Sequence, residues 1–195
     1  MKKDSDYIKI LDFLAEAGQL KRVKRSGWWT CGINDCESVA DHSFRCAIIG
    51  FCLAKIEKCD FNKTAIICLF NDLHEARIND MHKVVQRYIL LRDAEKKASK
   101  EQVKDLFYGI GKNIMSMMNE LWEDKSKESI IARDADILEC MLQGKEYYDQ
   151  GFTQAKEFYI KPYKLLKTKS ARKLARYIKK WDSRSWCSKL AVVER

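Results

Sequence analysis

The chain has 195 residues, 46% of them apolar, enough to bury a substantial core in one domain. Its net charge is +9, but residues 161–195 hold 12 Lys and Arg against 2 Asp and Glu, while residues 1–160 are close to balanced, so the excess lies in the tail. No apolar run approaches the roughly 20 residues of a membrane span, and the start, MKKDSDYIKI, lacks the apolar core of a secretory signal.

The eight cysteines fall mostly at helix-face positions such as Cys46, Cys52, Cys68 and Cys140, and read as reduced thiols of a cytoplasmic protein rather than a disulfide framework. Cys31 and Cys36 offer half of a zinc site with no second close pair to complete it. One proline, Pro162, few glycines and long stretches of 3.6-residue periodicity, without an Asn-Gly or Asp-Gly hairpin signal, predict an all-α fold. No linker or repeat divides it. A single helical bundle spanning 1–195 is expected, with 161–195 as a basic helical extension.

In chain order, Ile8, Leu11, Leu14 and Ala15 mark one face of a first helix ending near Gly18, a candidate left-handed cap. Residues 21–37 form a loop carrying Arg25, Trp28 and Trp29, whose lack of periodicity between helices suggests a structured, ligand-facing segment. Ser38 and Asp41 read as a capping box that opens the next helix, with Phe44, Ala47, Ile48, Phe51 and Leu53 as its apolar positions and His42 in its first turn. A third helix is expected from Asn62 or Thr64 to Asn79, and further helices over about 83–92, 94–119 and 128–150. In the tail, Leu174, Tyr177, Ile178 and Trp181 form a stripe at helical spacing, predicting a helix docked on the body. The tail's charge also admits nucleic acid as a partner, the less favoured reading.

Chemistry concentrates in Asn71-Asp72-Leu73-His74-Glu75-Ala76-Arg77-Ile78-Asn79-Asp80, read with His42 and with Arg133-Asp134-Ala135-Asp136. At about 100° per residue, a continuous helix places Asn71, Asp72 and Glu75 in one sector and leaves His74 beside it. His82 is expected to be solvated. Asp72 and Glu75 lie at the edge of an otherwise apolar run, where carboxylates need partners, and a metal ion supplies one. Asp134 and Asp136 point apart on a helix, so only one can face such an ion.

This ordered set resembles the HD-domain metal-dependent phosphohydrolases, and in particular their 5'-deoxynucleotidase-like branch. The resemblance is clearest over residues 20–81 and 130–151. It implies one divalent metal (Mn, Co, Ni, Fe, Zn or Mg) held by His42, Asp72 and Asp136, with Glu75 and Asp80 in acid/base work and substrate contact. It also implies Arg25 and Trp28 around a nucleotide, hydrolysis of (deoxy)nucleoside 5'-monophosphates, and a homodimer. A mixed nitrogen and oxygen shell suits such ions, a guanidinium fits phosphate, and an indole can stack on a base.

The chain departs from the family pattern at Asn71, which stands where the resemblance expects the His of the His-Asp pair. A carboxamide oxygen is a weaker, neutral donor. Three outcomes follow: an ion kept through His42, Asp72, Asp136 and water; His74 swinging in; or a catalytically impaired protein that still binds nucleotide or nucleic acid.

Overall fold

The structure, a computed structural model, describes residues 2–190, so the end of the expected tail helix lies outside the described residues. Among the described residues there are helices, short 3₁₀ turns and one isolated bridge between Lys24 and Ser38, but no strand. The helices are α1 (Lys2–Gly18), α2 (Val39–Glu57), α3 (Phe61–Phe70), α4 (Glu75–Ile78), α5 (Leu91–Val103), α6 (Ile110–Glu123), α7 (Lys127–Asp149), α8 (Lys156–Ile160), α9 (Lys169–Ile178) and α10 (Ser185–Leu190).

The long helix α7 is the axis of the bundle, packed by α2, α3, α6, α8 and α9. Leu53, Ile67, Met118, Leu121, Ile131, Leu138, Met141 and Leu166 are nearly or fully buried around it. At about 25 cal/mol per Å² of apolar surface, each such side chain contributes on the order of 2 kcal/mol, so this contiguous core dominates the stability. Ser38 begins α2 as expected: its hydroxyl accepts from Asp41 N–H at 3.2 Å, and Asp41 accepts from Ser38 N–H at 2.9 Å. The box fixes where the first turn of α2 starts, and thereby where His42 points.

Several boundaries differ from the sequence reading. Gly18 is right-handed (φ −61°) and leads into a 3₁₀ turn, Gln19–Lys21, rather than capping α1. The helix expected over 94–119 is two helices, because Tyr108 and Gly109 take positive φ (54° and 75°) and reverse the chain between α5 and α6. Gly111 then lets α6 approach α5; a Cβ there would sit 2.1 Å from the Val103 carbonyl oxygen. The segment expected as a helix over 83–92 holds only the 3₁₀ turn Val85–Arg87 and the start of α5.

The apolar faces were also partly misassigned. Of the expected stripe Ile178 is buried, but Leu174 and Tyr177 are exposed; α9 docks through Ile178 with buried Ala171 and Ala175, small residues that let its backbone come close. Phe44, Ile48 and Phe51 of α2, and Ile8, Leu11 and Leu14 of α1, face outward, while α2 buries Cys46, Ile49, Gly50 and Leu53. Cys31 and Cys36 pack with Trp28, Ile33, Tyr147 and Ala155 in a small apolar cluster under the 19–38 loop, and all eight cysteines are free thiols. No helix among the described residues is long and apolar enough to cross a membrane.

Asp134 shows why the tail docks where it does. Fully buried on α7, its carboxylate accepts from Lys167 N–H (2.8 Å), Thr168 N–H (2.7 Å) and the Thr168 hydroxyl (2.6 Å) at the start of α9. Asp134→Ala should therefore lower the unfolding free energy by about 2–4 kcal/mol, because it leaves buried donors unpaired. Chemical denaturation checks the value, and metal binding by the folded variant should be unchanged.

Candidate metal and phosphate site

The loop after α1, the turn between α3 and α4 and the middle of α7 line one cavity of about 490 Å³, with α5, the end of α6 and the α8 region as its further walls, and the start of α2 brings His42 against two of its lining carboxylates. From α2, the buried His42 ring meets a carboxylate on each side. Its Nδ1 is hydrogen-bonded to Glu139 of α7, which is fully buried and also holds Arg45 at 2.8–2.9 Å. Its Nε2 lies 3.0 Å from Asp136 and 3.4 Å from Asp72. A carboxylate accepts but does not donate, so Glu139 fixes a proton on Nδ1 and aims Nε2 at two more carboxylates, as the nitrogen a metal ion would take.

The Asn71–Glu75 segment differs from the continuous helix the spacing predicts. Helix α3 stops at Phe70, and the next N–H groups bond three residues back: Leu73 to Phe70 (3.2 Å), Glu75 to Asp72 (3.0 Å) and Ala76 to Leu73 (3.2 Å). The tight turn replaces the continuous helix, and Asn71, Asp72, His74 and Glu75 all line the cavity. His74 is a wall residue rather than an outlier: it is 6% exposed, with Nδ1 unpartnered and Nε2 3.9 Å from Glu95. His82 is also not solvated; it lines the cavity, and its backbone N–H donates to the Ser26 hydroxyl.

Arg25 enters from the loop, 3.8 Å from both Asp72 and Asp80. The bridge at Lys24 and the Arg25 N–H bond to the Glu37 carbonyl (3.0 Å) hold it there. Asn79 (φ 61°) turns the chain so that Asp80 reaches the same loop, accepting from Ser26 N–H at 2.6 Å. With one oxygen on Ser26 and the other beside Arg25, Asp80 is engaged in holding the loop, which leaves Glu75 as the free carboxylate of the pair expected to do acid/base work. Trp28 lines the cavity from under the loop: it is 2% exposed, packs on Phe158 and Tyr147 at 4.6 and 5.0 Å, and donates its indole N–H to Glu37 at 2.8 Å. So little of the ring is exposed that stacking on a base would need the loop to shift.

Four carboxylates, Asp72, Asp80, Glu75 and Asp136, surround the single buried guanidinium of Arg25. Burial, reinforced by Asp72, pushes the Glu75 carboxyl well above the usual carboxylate range. Burial also raises Asp72 despite His42 and Arg25 nearby. Desolvation and Arg25 oppose a charge on His42, but Glu139 and Asp136 outweigh them and hold its proton affinity well above normal. Asp72 Oδ2 and Glu75 Oε2 are buried without a hydrogen-bond donor. A carboxyl oxygen at this depth without a donor is costly. One divalent cation touching His42 Nε2, Asp72 and Asp136 answers it, and these three ligand atoms lie within 4.8 Å of one another.

An HD domain family model matches residues 17–179. Among curated proteins, the chain is 34% identical to 5'-deoxynucleotidase HDDC2 of Dictyostelium discoideum, over 72% of this chain and 78% of that protein. To the human protein of the same name it is 27% identical, over 72% and 69%. Among solved structures, a conserved hypothetical protein from Pyrococcus furiosus superposes with a TM-score of 0.74 at 31% identity, covering 87% of this chain and 97% of that one.

Sequence reasoning did not single out Glu139, Arg45 or Arg133. The signal for Glu139 was present as a carboxylate three residues after Asp136, on a helix that has to bury that face. Glu139→Gln should weaken divalent-metal binding about 10- to 100-fold by loosening His42, with the fold intact. Calorimetric titration with Mn²⁺ checks this, and an unchanged affinity would mean that Glu139 does not orient the imidazole.

Proposed function

The chain belongs to the HD-domain family, and from that membership we propose that it is a metal-dependent phosphohydrolase acting on (deoxy)nucleoside 5'-monophosphates. The observation that carries this reading is His42 Nε2 facing Asp72 and Asp136 at 3.4 and 3.0 Å, with the unpartnered Glu75 carboxylate in the same cavity. Relatives named 5'-deoxynucleotidase support the substrate class.

In this proposal His42, Asp72 and Asp136 hold one divalent ion, and the Asn71 carboxamide stands beside them as a neutral fourth donor. The donor set, one imidazole among oxygens, tilts the preference toward harder ions such as Mn²⁺ or Mg²⁺. When bound, the ion supplies Lewis-acid charge to the phosphoryl group and makes water nucleophilic near neutral pH. The protein's side chains do the rest. Arg25 draws the phosphate into the cavity with a charged, planar fork. Asp80 keeps that guanidinium and the Ser26 backbone in place. Glu75, whose proton affinity burial raises, takes the proton from the attacking water and returns it to the leaving oxygen.

We also propose that the protein is a cytoplasmic homodimer. Phe44 (67% exposed), Ile48 and Phe51 on α2 and Ile66 and Leu69 on α3 form an outward apolar face that a second copy would cover. Light scattering should return twice the 22.9 kDa chain mass. Phe44→Glu should return the single mass, and a wild-type monomer would remove the proposal.

Release of inorganic phosphate from deoxynucleoside 5'-monophosphates, with titrated Mn²⁺, tests the enzymatic reading; metal-free protein that binds nucleotide without turnover would favour a binding module. Asn71→His should raise both metal affinity and turnover, by at least about tenfold, since an imidazole replaces a poor donor. Metal content and turnover that stay flat in that variant would show that Asn71 does not face the ion.

A further inference from the structure

The metal and phosphate groups occupy only one end of the cavity, which continues along the α7 and α6 walls past Arg133 to Trp122 and Arg92. Arg133 lies three residues before Asp136 on α7, hence one turn away on the same face, and its charge is felt at Asp136. Its guanidinium has one long contact, 3.4 Å to the Leu121 carbonyl, and among the described residues no carboxylate lies within 4 Å of it. A half-buried arginine with free donors, next to a cluster of acids but paired with none, is placed for an anion that is not part of the protein.

The next residue along the wall is Trp122, at the end of α6. It is partly buried against the core and lines the cavity. Arg92 of α5 donates to the Trp122 carbonyl at 3.1 Å, and its guanidinium carbon lies 5.8 Å from the ring centroid. That is the range of a direct cation–π contact, and Lys96 Nζ lies 5.9 Å from the same centroid. Trp28, by contrast, is 2% exposed, with its N–H committed to Glu37.

Resting on the phosphohydrolase reading above, we propose that the substrate lies along the α7–α6 wall, its phosphate bridged by Arg133 as well as Arg25 and its base stacked on Trp122. The site then recognises a nucleoside monophosphate by its base face, without reading a particular base edge, so discrimination among bases is weak. Specificity for a nucleotide over a bare sugar phosphate resides in Trp122.

Binding measured by calorimetry, independent of turnover, tests this with two probes: deoxyadenosine 5'-monophosphate and deoxyribose 5-phosphate. Trp122→Leu should weaken the nucleotide about tenfold or more and leave the sugar phosphate unchanged, as expected for one base–aromatic stack. Trp122→Phe, which keeps a ring and most of the packing, should stay within about threefold of the wild type for both. Arg133→Gln should weaken both probes alike. Equal loss of both probes in Trp122→Leu, or no loss of either, overturns the placement of the base. Full binding of both probes by Arg133→Gln overturns the placement of the phosphate. Wild-type protein that binds the nucleotide through Trp122 yet releases no phosphate would instead strike the catalytic reading alone.

Discussion

A buried imidazole held between carboxylates organises this protein. Glu139 accepts the Nδ1–H of His42 from inside α7, and Arg45 keeps Glu139 ionised and in place. With Nδ1 committed, Nε2 is aimed at Asp72 and Asp136 and is the nitrogen left for a metal ion. Each surrounding element has a part in this. The capping box of α2 sets the direction of His42, the 3₁₀ turn after α3 delivers Asp72, and α7 carries both Asp136 and Glu139 at a one-turn spacing. An imidazole nitrogen and two carboxylates converging at this depth make a donor set suited to a divalent cation.

The same helix reconciles this demand with stability. Asp134 and Asp136 sit two residues apart on α7, and helical geometry sends them to opposite sides. Asp136 faces the cavity, whereas Asp134 turns to the far side and caps α9. Structural and chemical carboxylates are thus separated by rotation about one helix axis. The loop carrying Arg25 is likewise fixed from two directions, by the apolar cluster around Trp28 and by Asp80, so the guanidinium arrives at the acids already oriented.

The all-helical fold, the capping box and the grouping of His42, Asp72, Glu75 and Asp136 could be read in the residues, because periodicity and ordered motif spacing are local signals. What escaped reading depended on backbone detail or on tertiary choice. A helix assumed at 100° per residue put His74 beside the site; the tight turn that replaces the helix after Phe70 brings it onto the wall. The Leu174 and Tyr177 stripe was more apolar than its neighbours, yet α9 docks through Ala171 and Ala175, since close helix approach rewards small side chains. Outward Phe44 and Ile48 look like core positions in sequence, because apolar residues at helical spacing do not say which side of the helix the rest of the protein covers. Trp28 was placed at the ligand by analogy of position, but its burial under the loop is decided by Tyr147 and Phe158, residues distant in the chain.

The most direct test is a crystal structure of the protein grown with Mn²⁺, with anomalous diffraction used to locate the ion. The account predicts one peak at about 2.0–2.3 Å from His42 Nε2 and from carboxylate oxygens of Asp72 and Asp136, with Glu139 still bonded to His42 Nδ1. A peak bound elsewhere in the cavity, or an empty cluster with His42 Nε2 protonated and shared between the two aspartates at saturating Mn²⁺, would contradict it.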